Sequence, residues 1–589
     1  MAFIESAVLT KTDAAKKLLE HKVPSRMAAK DGSVFDFDKE IAAYASERLG
    51  WTTLASNPPT DPCEVAVLAQ QARGEGLDAV VLIGQGGSTQ AAQTITKLHS
   101  LDVPEEIPFR TMDSLSPVYV NHILGSSDPA RTLYLVSSKS GSTLEPTMAS
   151  HVAWKYVCAH LGKEQAGSRF IAITDPGSEL EAVARKNSWR AILHGCPEVG
   201  GRYSALSVFG LMPMASVGID VEQTLKDAVE MEKLCASDSL ENPALHLAAF
   251  LYQSLQKGRD KFSLIMPPRN QVFGLWVEQL VAESLGKNGV GILPNVEVDA
   301  GILADYYGDR SVILCNINNS EAFEHAHTCI HPDMPVFRVD IPNVNAMANH
   351  FLIWEYAIAF TGWLMQINPF DQPDVESTKQ ATRKLLSLED VAKFEVPKDK
   401  SGNPAYKKYE VCDICGADRV YVSSVLLEEL DPAMRKNIDL GLALRMLFRS
   451  LKENDYFSFN AFLPFRGVGR RECLERVRHR VADRMSTAAC LEIGPRFLHS
   501  TGQLHKGGSN TGVFLVVSSD EPYDIKVPHK DCTLGDVENA EALGDFSALA
   551  ARERRAVYVH LKDNDSEYLT LFADEACAAI SAAYANKIH

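Results

Sequence analysis

Glu283 and Gln279 stand four residues apart in the apolar run Trp276-Val-Glu-Gln279-Leu-Val-Ala-Glu283. On a helix that spacing sets both on one face. A carboxylate in such surroundings is either an ordinary solvated residue or a base whose ionisation is shifted by desolvation. A different chemistry is written in Leu133 to Pro146, LYLVSSKSGSTLEP. There a β-branched run delivers Ser138, Lys139, Ser140, Ser142 and Thr143 to the start of a helical segment. Backbone N–H groups, four hydroxyls and the positive end of a helix dipole suit a phosphate. Taken alone, the stretch is more often an ordinary strand–turn–helix corner.

Gly84-Gln-Gly-Gly87-Ser88-Thr89 is a second small-residue loop. Thr89 stands where G-x-G-x-x-G needs its third glycine, and no G-K-[ST] occurs, so nucleotide sites are disfavoured. Two short anion-binding loops suit a monophosphate better. In Val199-Gly-Gly-Arg202-Tyr-Ser204 the glycines let backbone approach a ligand, and Arg202 can be aimed at negative charge. In Asn368-Pro-Phe-Asp371-Gln372-Pro-Asp-Val375-Glu376-Ser-Thr-Lys379, Asp371 reads as a helix N-cap with Pro373 in the first turn. Gln372, Val375, Glu376 and Lys379 then share a face, where Glu376 and Lys379 can pair as surface charges. His499-Ser-Thr-Gly-Gln503-Leu-His505-Lys-Gly-Gly508 sets two histidines beside glycines.

A metal is not expected. His325, His327, Cys329 and His331 alternate as on one strand face, but the flanking sequence lacks an obvious ligand-orienting framework. Cys412-x-x-Cys415 has no second pair to complete a zinc ribbon.

These residues need elements to hold them. Strand candidates at 80–84, 132–138, 170–174 and 190–194 are separated by helical stretches, which implies a parallel, doubly wound sheet. The pattern restarts at 262–266, 311–317 and 336–341, with a helix near 273–285 and an apolar one at 351–366. Both small-residue loops follow strands, where ligands of such sheets bind. Residues 1–55 read as an amphipathic helical leader, closed by Asn57-Pro-Pro-Thr-Asp-Pro62. After Lys379 the composition becomes more charged, and Pro397 with Ser401-Gly-Asn-Pro404 marks a linker. The last stretch mixes strands (419–424, 513–518, 556–561) with helices.

The bulk composition narrows the class. A 589-residue chain with 46% hydrophobic and 23% charged residues has ample core for several domains. Its net charge of −17 argues against a general nucleic-acid binder. There is no apolar run of membrane-spanning length and no signal-peptide pattern. With twelve cysteines mostly isolated, a cytoplasmic location with reduced thiols is expected.

Five separated motifs then agree: IGQGGS through Ser88, SKSGST, GGRYS, QxxxESxGK and FDQxxVExxK. Their order resembles that of glucose-6-phosphate isomerases, which are built from two sugar-isomerase (SIS) domains. The resemblance spans at least residues 80–380. The wording of the motifs, together with HSTGQLHKGG, is most similar to the isomerase half of bacterial transaldolase/glucose-6-phosphate isomerase fusions. The leader through Arg48-Leu-Gly-Trp51 is similar to the region after the transaldolase there. The chain has no room for a transaldolase barrel, so isomerase activity alone is expected.

The resemblance implies an α/β protein with two SIS-type doubly wound parallel-sheet domains, over 56–235 and 236–385, and a C-terminal α/β or α+β region over 386–589. It implies a phosphosugar substrate, no cofactor, and no nucleic-acid or membrane partner. Ser138, Lys139, Ser140, Ser142 and Thr143 would hold the sugar phosphate, and Gly87 and Ser88 would contact the sugar. Glu283 would move a proton between C1 and C2, Arg202 would stabilise the enediolate, and Gln279 would lie beside the same carbons. Lys379 would help open or position the ring.

One feature departs from the family pattern. The family's ring-opening histidine precedes the lysine helix in a QHSxxQL-type segment. Between Glu283 and Lys379 this chain has His325, His327, His331 and His350, none in such a segment. The nearest match, His499 to Leu504, follows Lys379, so His499 takes the role, with His505 next. In the family this histidine crosses from a neighbouring subunit, which leaves monomer and homodimer both open. Two rival readings remain: an isomerase of another phosphosugar such as mannose 6-phosphate, and a non-catalytic phosphosugar sensor.

Overall fold

The first sheet grows from runs that are apolar along their whole length. Thr132–Ser137 and Phe170–Thr174 are buried at every position, and a strand covered on both faces has no polar alternation to show. With Ala79–Gly84 (β1), Phe109–Met112 (β2), Thr132–Ser137 (β3), Phe170–Thr174 (β4) and Ala191–His194 (β5), the order is β2-β1-β3-β4-β5 and every pairing is parallel. The structure, a computed structural model, describes residues 12–100, 107–267, 271–297, 303–305, 307–317, 328–341, 346–388, 393–413, 415–465 and 470–588. His325 and His327 lie outside the described residues.

Strand order reverses between β1 and β3, and open α/β sheets bind ligands outside the carboxyl ends of strands at such a reversal. Both small-residue loops lie there. β1 runs into Gln85–Ser88, β3 runs into Ser138–Thr143, and the register sets Gly84 opposite Ser137. The helix after β3, Leu144–Leu161 (α1), begins at the end of the second loop.

A second parallel sheet holds Lys261–Ile265 (β6), Leu293–Glu297 (β7), Arg310–Ile317 (β8) and Val336–Ile341 (β9) in the order β7-β6-β8-β9. Gln271–Leu285 (α2) follows β6 and carries Gln279 and Glu283. Met347–Leu364 (α3) is buried along nearly its whole length. The leader packs on it: Trp363 Nε1 donates to Val34 O at 2.8 Å, and Tyr356 OH donates to Thr52 O at 3.2 Å. Trp51 stacks on Tyr203 at 5.0 Å and meets Tyr356 edge-on at 4.8 Å.

The helix expected to start at Asp371 instead begins as a 3₁₀ turn, Pro373–Val375, and continues as Glu376–Leu386 (α4). Asp371 does not cap it, because its carboxylate binds Lys287 Nζ at 2.6 Å. Glu376 pairs with Arg383 rather than Lys379.

The third sheet holds Tyr406–Glu410 (β10), Ala417–Ser423 (β11), Tyr456–Phe462 (β12), Ala488–Ile493 (β13), Gly512–Ser519 (β14) and Arg555–Leu561 (β15). The order is β10-β11-β15-β14-β12-β13. The four strands from β15 to β13 run parallel, while β11 and β10 are added antiparallel at one side. This is an α/β sheet with an antiparallel edge. The helix Leu534–Ala551 (α5) lies between β14 and β15 in the chain. Among the described residues no helix is long and apolar enough to cross a membrane.

The chain packs as two compact units. One takes the chain up to Asp113 and from Ile123 to Gln372; the other takes Ser114–His122 and the chain from Pro373 onward. In the second unit, Ser116 Oγ donates to Glu521 Oε1 at 2.9 Å and Asn564 Nδ2 donates to Glu521 Oε2 at 3.2 Å. Burial pushes the Glu521 carboxyl up to about 7, against the hydrogen bonds from Ser116 and Asn564 and the charge of Arg470, with Asp524 adding to the rise. Burial likewise lifts Glu538 well above the usual carboxylate range, with Glu521 and Asp524 reinforcing it. Unfolded glutamate ionises near 4.3, so between that value and about 7 the folded state holds the extra proton. The stabilisation is complete at low pH and is lost as pH rises through about 7. The urea midpoint of the second unit should therefore fall between pH 5 and pH 8, and Glu521→Gln should flatten that fall; parallel pH profiles for the two proteins would contradict the assignment.

Candidate active site

Three sequence-distant stretches of the first unit meet around Arg202. The Gly200-Gly-Arg202 turn lies against the first small-residue loop so closely that a Cβ on Gly87 would sit 2.2 Å from the carbonyl of Gly201 and 2.7 Å from Arg202 N. Gly87 is thus required by approach. Ser204 Oγ donates to Gly201 O at 2.6 Å and closes the turn. Behind it, Tyr203 is held between Trp51 and Phe370, the latter at 5.5 Å.

Arg202 is 3% exposed and Glu283 6%. The guanidinium has five N–H donors. Nε donates to Ser284 Oγ at 2.7 Å, Nη1 to Gln372 Oε1 at 2.7 Å, and Nη2 to Pro369 O at 2.8 Å and Asp371 O at 3.0 Å. Four donors are committed to protein. The fifth, on Nη1, lies on the nitrogen that is 3.6 Å from Glu283 Oε1. Glu283 Oε2 accepts from Gln279 Nε2 at 3.1 Å, as the spacing of four on α2 allows. Glu283, Gln279 and Arg202 are therefore together: a buried carboxylate, an amide and one guanidinium N–H with no hydrogen-bond acceptor among the described residues.

The second loop is built for an anion. Ser138 is buried and its Oγ has no partner among the described residues. Ser140 Oγ lies 3.4 Å from Thr143 Oγ1 and accepts from Ser142 N and Ser142 Oγ, both at 3.3 Å. Thr143 is the N-cap of α1, yet its side chain does not close the helix end. The positive end of an 18-residue helix thus meets the loop without a side-chain cap. Lys139 is engaged elsewhere: its ammonium pairs with Asp175 and donates to Cys196 O at 3.1 Å. Ser88 is buried, and its carbonyl accepts from Ser137 Oγ at 3.1 Å, which ties the two loops together.

The remaining expected residues belong to the second unit. Lys379 lies half-buried on α4 and makes no ion pair among the described residues. His499 ends the 3₁₀ turn Arg496–His499 and is half-buried. Nearby, Gln503 Nε2 donates to Asp374 Oδ2 at 2.7 Å and Gln503 Oε1 accepts from Asp374 N at 2.9 Å, which ties the HSTGQ segment to the start of the lysine helix. His505 is a core residue. It is 1% exposed and packs against Tyr456, Phe497 and Phe514. Burial, reinforced by Lys506 and Arg554, holds it well below the usual histidine range. It is ruled out as a solvent-facing acid by packing. Among the described residues, no three metal-ligating side chains gather at one point.

Sequence reading did not pick out Ser284, Lys287, Gln372 as a ligand of Arg202, or Trp51 as the support of Tyr203. Ser284, Lys287 and Gln372 were inside the noted motifs, so the signal was motif membership without a role.

Comparison with known proteins places the chain among sugar-phosphate isomerases. The profile of the phosphoglucose isomerase family matches residues 69–303, a stretch that includes both loops, Arg202, Gln279 and Glu283. A protein of Methanococcus maripaludis named probable glucose-6-phosphate isomerase is 30% identical over 358 residues, covering 53% of this chain and 80% of the relative. The glucose-6-phosphate isomerase of Staphylococcus aureus (strain Newman) is 30% identical over 397 residues, covering 59% of this chain and 88% of its own. The crystal structure of a glucose-6-phosphate isomerase from Chlamydia trachomatis matches with a TM-score of 0.51 at 17% identity, over 64% of this chain and 87% of that one. The crystal structure of a hypothetical protein from Thermus thermophilus gives 0.55 at 24%, over 66% and 100%. At these identities the two structures speak to the fold.

The contact at Gly87 is directly testable. Gly87→Ala should destabilise the first unit by about 1–3 kcal/mol through overpacking. Gly74→Ala, where a Cβ meets nothing within 4 Å, should not destabilise it. Denaturant melts of the two variants measure the difference, and equal midpoints would refute the close approach.

Proposed function

The chain belongs to the phosphoglucose isomerase family, and from that premise we propose that it interconverts glucose 6-phosphate and fructose 6-phosphate at the Glu283–Arg202 pair. The observation that carries this reading is the buried Glu283 carboxylate 3.6 Å from Arg202 Nη1, whose second N–H has no hydrogen-bond acceptor among the described residues. Aldose–ketose isomerisation needs those two groups. Glu283 takes the C2 proton of the open-chain aldose and returns it to C1, while the hydroxyl proton passes from O2 to O1 so that C2 becomes the carbonyl. Arg202 donates to the oxygen on which negative charge gathers in the enediolate. Substrate and product are isomers, so the reaction consumes no oxidant or reductant. A positioned base contributes about 10²- to 10⁴-fold, and one donor to the oxyanion about 10²- to 10³-fold.

Ser138, Ser140, Ser142 and Thr143 hold the phosphate, with Lys139 as electrostatic support from its pair with Asp175. Binding the end of the sugar that does not react fixes C1 and C2 over Glu283. Gly87 and Ser88 line the sugar, and Gln279 keeps the Glu283 carboxylate oriented. Lys379 and His499 open the ring, and the double hydrogen bond between Gln503 and Asp374 supports assigning them a joint task. On this reading the chain carries SIS domains over 56–235 and 236–385, followed by the C-terminal region over 386–589. The protein works in the cytoplasm, in glycolysis and gluconeogenesis. A homodimer is the assembly in which a neighbouring subunit's histidine would reach the site.

A coupled assay with purified protein tests the reaction: a folded chain that fails to convert fructose 6-phosphate would sink it, and a panel including mannose 6-phosphate measures selectivity. Glu283→Gln should lower kcat by about 10²- to 10⁴-fold while sugar-phosphate binding persists. Ser138→Ala combined with Thr143→Ala should raise KM about 10-fold or more, through lost hydrogen bonds to a charged group; an unchanged KM would show that the phosphate binds elsewhere.

A further inference from the structure

Lys287 is 1% exposed, and the reaction as described gives it no part. Its backbone is fixed by a tight turn. Lys287 N donates to Val290 O at 3.0 Å and Val290 N to Lys287 O at 3.1 Å, with Asn288 and Gly289 both at positive φ between them. Its ammonium has three donors and spends all of them on one loop: Asn368 O at 2.7 Å, Asp371 O at 2.7 Å and Asp371 Oδ1 at 2.6 Å. Arg202 Nη2 holds the same loop through Pro369 O and Asp371 O, and Tyr203 OH donates to Pro369 O at 3.3 Å. The Asp371 carbonyl thus accepts from both cations. Two buried cations, Arg202 and Lys287, are balanced by two carboxylates, Glu283 and Asp371.

We propose that Lys287 is a positioning residue for Arg202: by pinning loop 368–372 it sets the carbonyls and the Gln372 amide that occupy guanidinium donors, so that the remaining one faces Glu283. The proposal rests on the isomerisation assigned above and adds to it the group that aims the arginine. Lys287 touches neither substrate nor reacting atoms in this role. Without its positive charge, the loop carbonyls of Asn368 and Asp371 lose their partner and the Asp371 carboxylate loses its counter-ion. The guanidinium is then drawn toward them and away from Glu283.

The groups facing Lys287 make this dependence visible in a pH profile. Burial lowers its pKa to about 8 and Arg202 adds to the fall, while Asp371 and Glu283 hold it up. The ammonium is present below about 8 and is lost above it, so kcat should fall on the basic side.

The test compares three variants with the wild type in kcat, KM and their pH dependence, with hydrogen exchange of residues 368–372 as a second readout. Lys287→Met should lower kcat about 10- to 100-fold, less than deleting an oxyanion donor outright, with KM changed less and exchange of the loop accelerated. Lys287→Arg should restore much of kcat and remove the basic limb near 8, because a guanidinium stays charged there. Asp371→Asn should move that limb to lower pH, since the carboxylate that retains the proton is gone. A basic limb that is the same in wild type, Lys287→Arg and Asp371→Asn overturns the proposal, even if Lys287→Met fails to fold. An active Lys287→Met with wild-type kcat and loop exchange overturns it as well. A wild type inactive on both hexose phosphates refutes the assigned reaction instead, and the exchange of 368–372 in Lys287→Met still decides whether Lys287 holds the loop.

Discussion

The guanidinium of Arg202 is the constraint to which the first unit is built. It binds a helix hydroxyl, two loop carbonyls and a side-chain amide from segments about 80 and 170 residues away in sequence. A planar, permanently charged fork can do this, and an ammonium cannot, because only the fork has donors enough to commit four and keep one. Its burial would be prohibitive without compensation. The compensation is local: the Glu283 carboxylate, the Asp371 carboxylate that pairs with neighbouring Lys287, and loop carbonyls turned inward.

The apolar framework exists in large part to keep that arrangement from relaxing. Trp51, from the leader, stacks behind Tyr203, and Phe370 packs on the other side. The backbone of the arginine turn meets Gly87 with no space for a methyl group between them. Small shifts here would be costly for chemistry, since misplacing a reacting group by about 1 Å can cost 10²-fold. The anion loop is organised differently. The hydroxyls of Ser140, Ser142 and Thr143 bond to one another, no side chain caps the helix, and Ser138 Oγ has no partner among the described residues, which leaves a donor available to an incoming charge.

Much of this was legible in the sequence where burial is two-sided. β3 and β4 read as apolar runs, and the Ser/Gly loops read as anion sites by composition. β2 (FRTM) and β7 (LPNVE) escaped because they are short and carry charged or proline residues. Asp371 read as a helix cap because its local sequence has cap chemistry; its real partner, Lys287, lies 84 residues upstream, beyond any local rule. Lys139 read as part of the phosphate loop, and its partner Asp175, 36 residues downstream, was not visible from the loop alone. His505 looked like a loop histidine, and only the aromatic rings around it show that it belongs to the core. Periodicity and motifs report local covering and local chemistry, whereas long-range ion pairs are decided by topology.

The short segment Ser114–His122 belongs by packing to the second unit although the chain on both sides of it belongs to the first. Tyr119 in this segment lies against Phe465 at 5.5 Å, and Val120 is fully buried. The polypeptide therefore passes from one unit to the other three times, at 113/114, 122/123 and 372/373. Along the sequence the two units are therefore interleaved rather than consecutive. A polypeptide ending at Gln372 would keep the stitch but lose the cloth it passes through, leaving Tyr119 without its aromatic neighbour. The C-terminal third is thus not a removable appendix to an isomerase core but a part of the fabric that the core's own chain is sewn into.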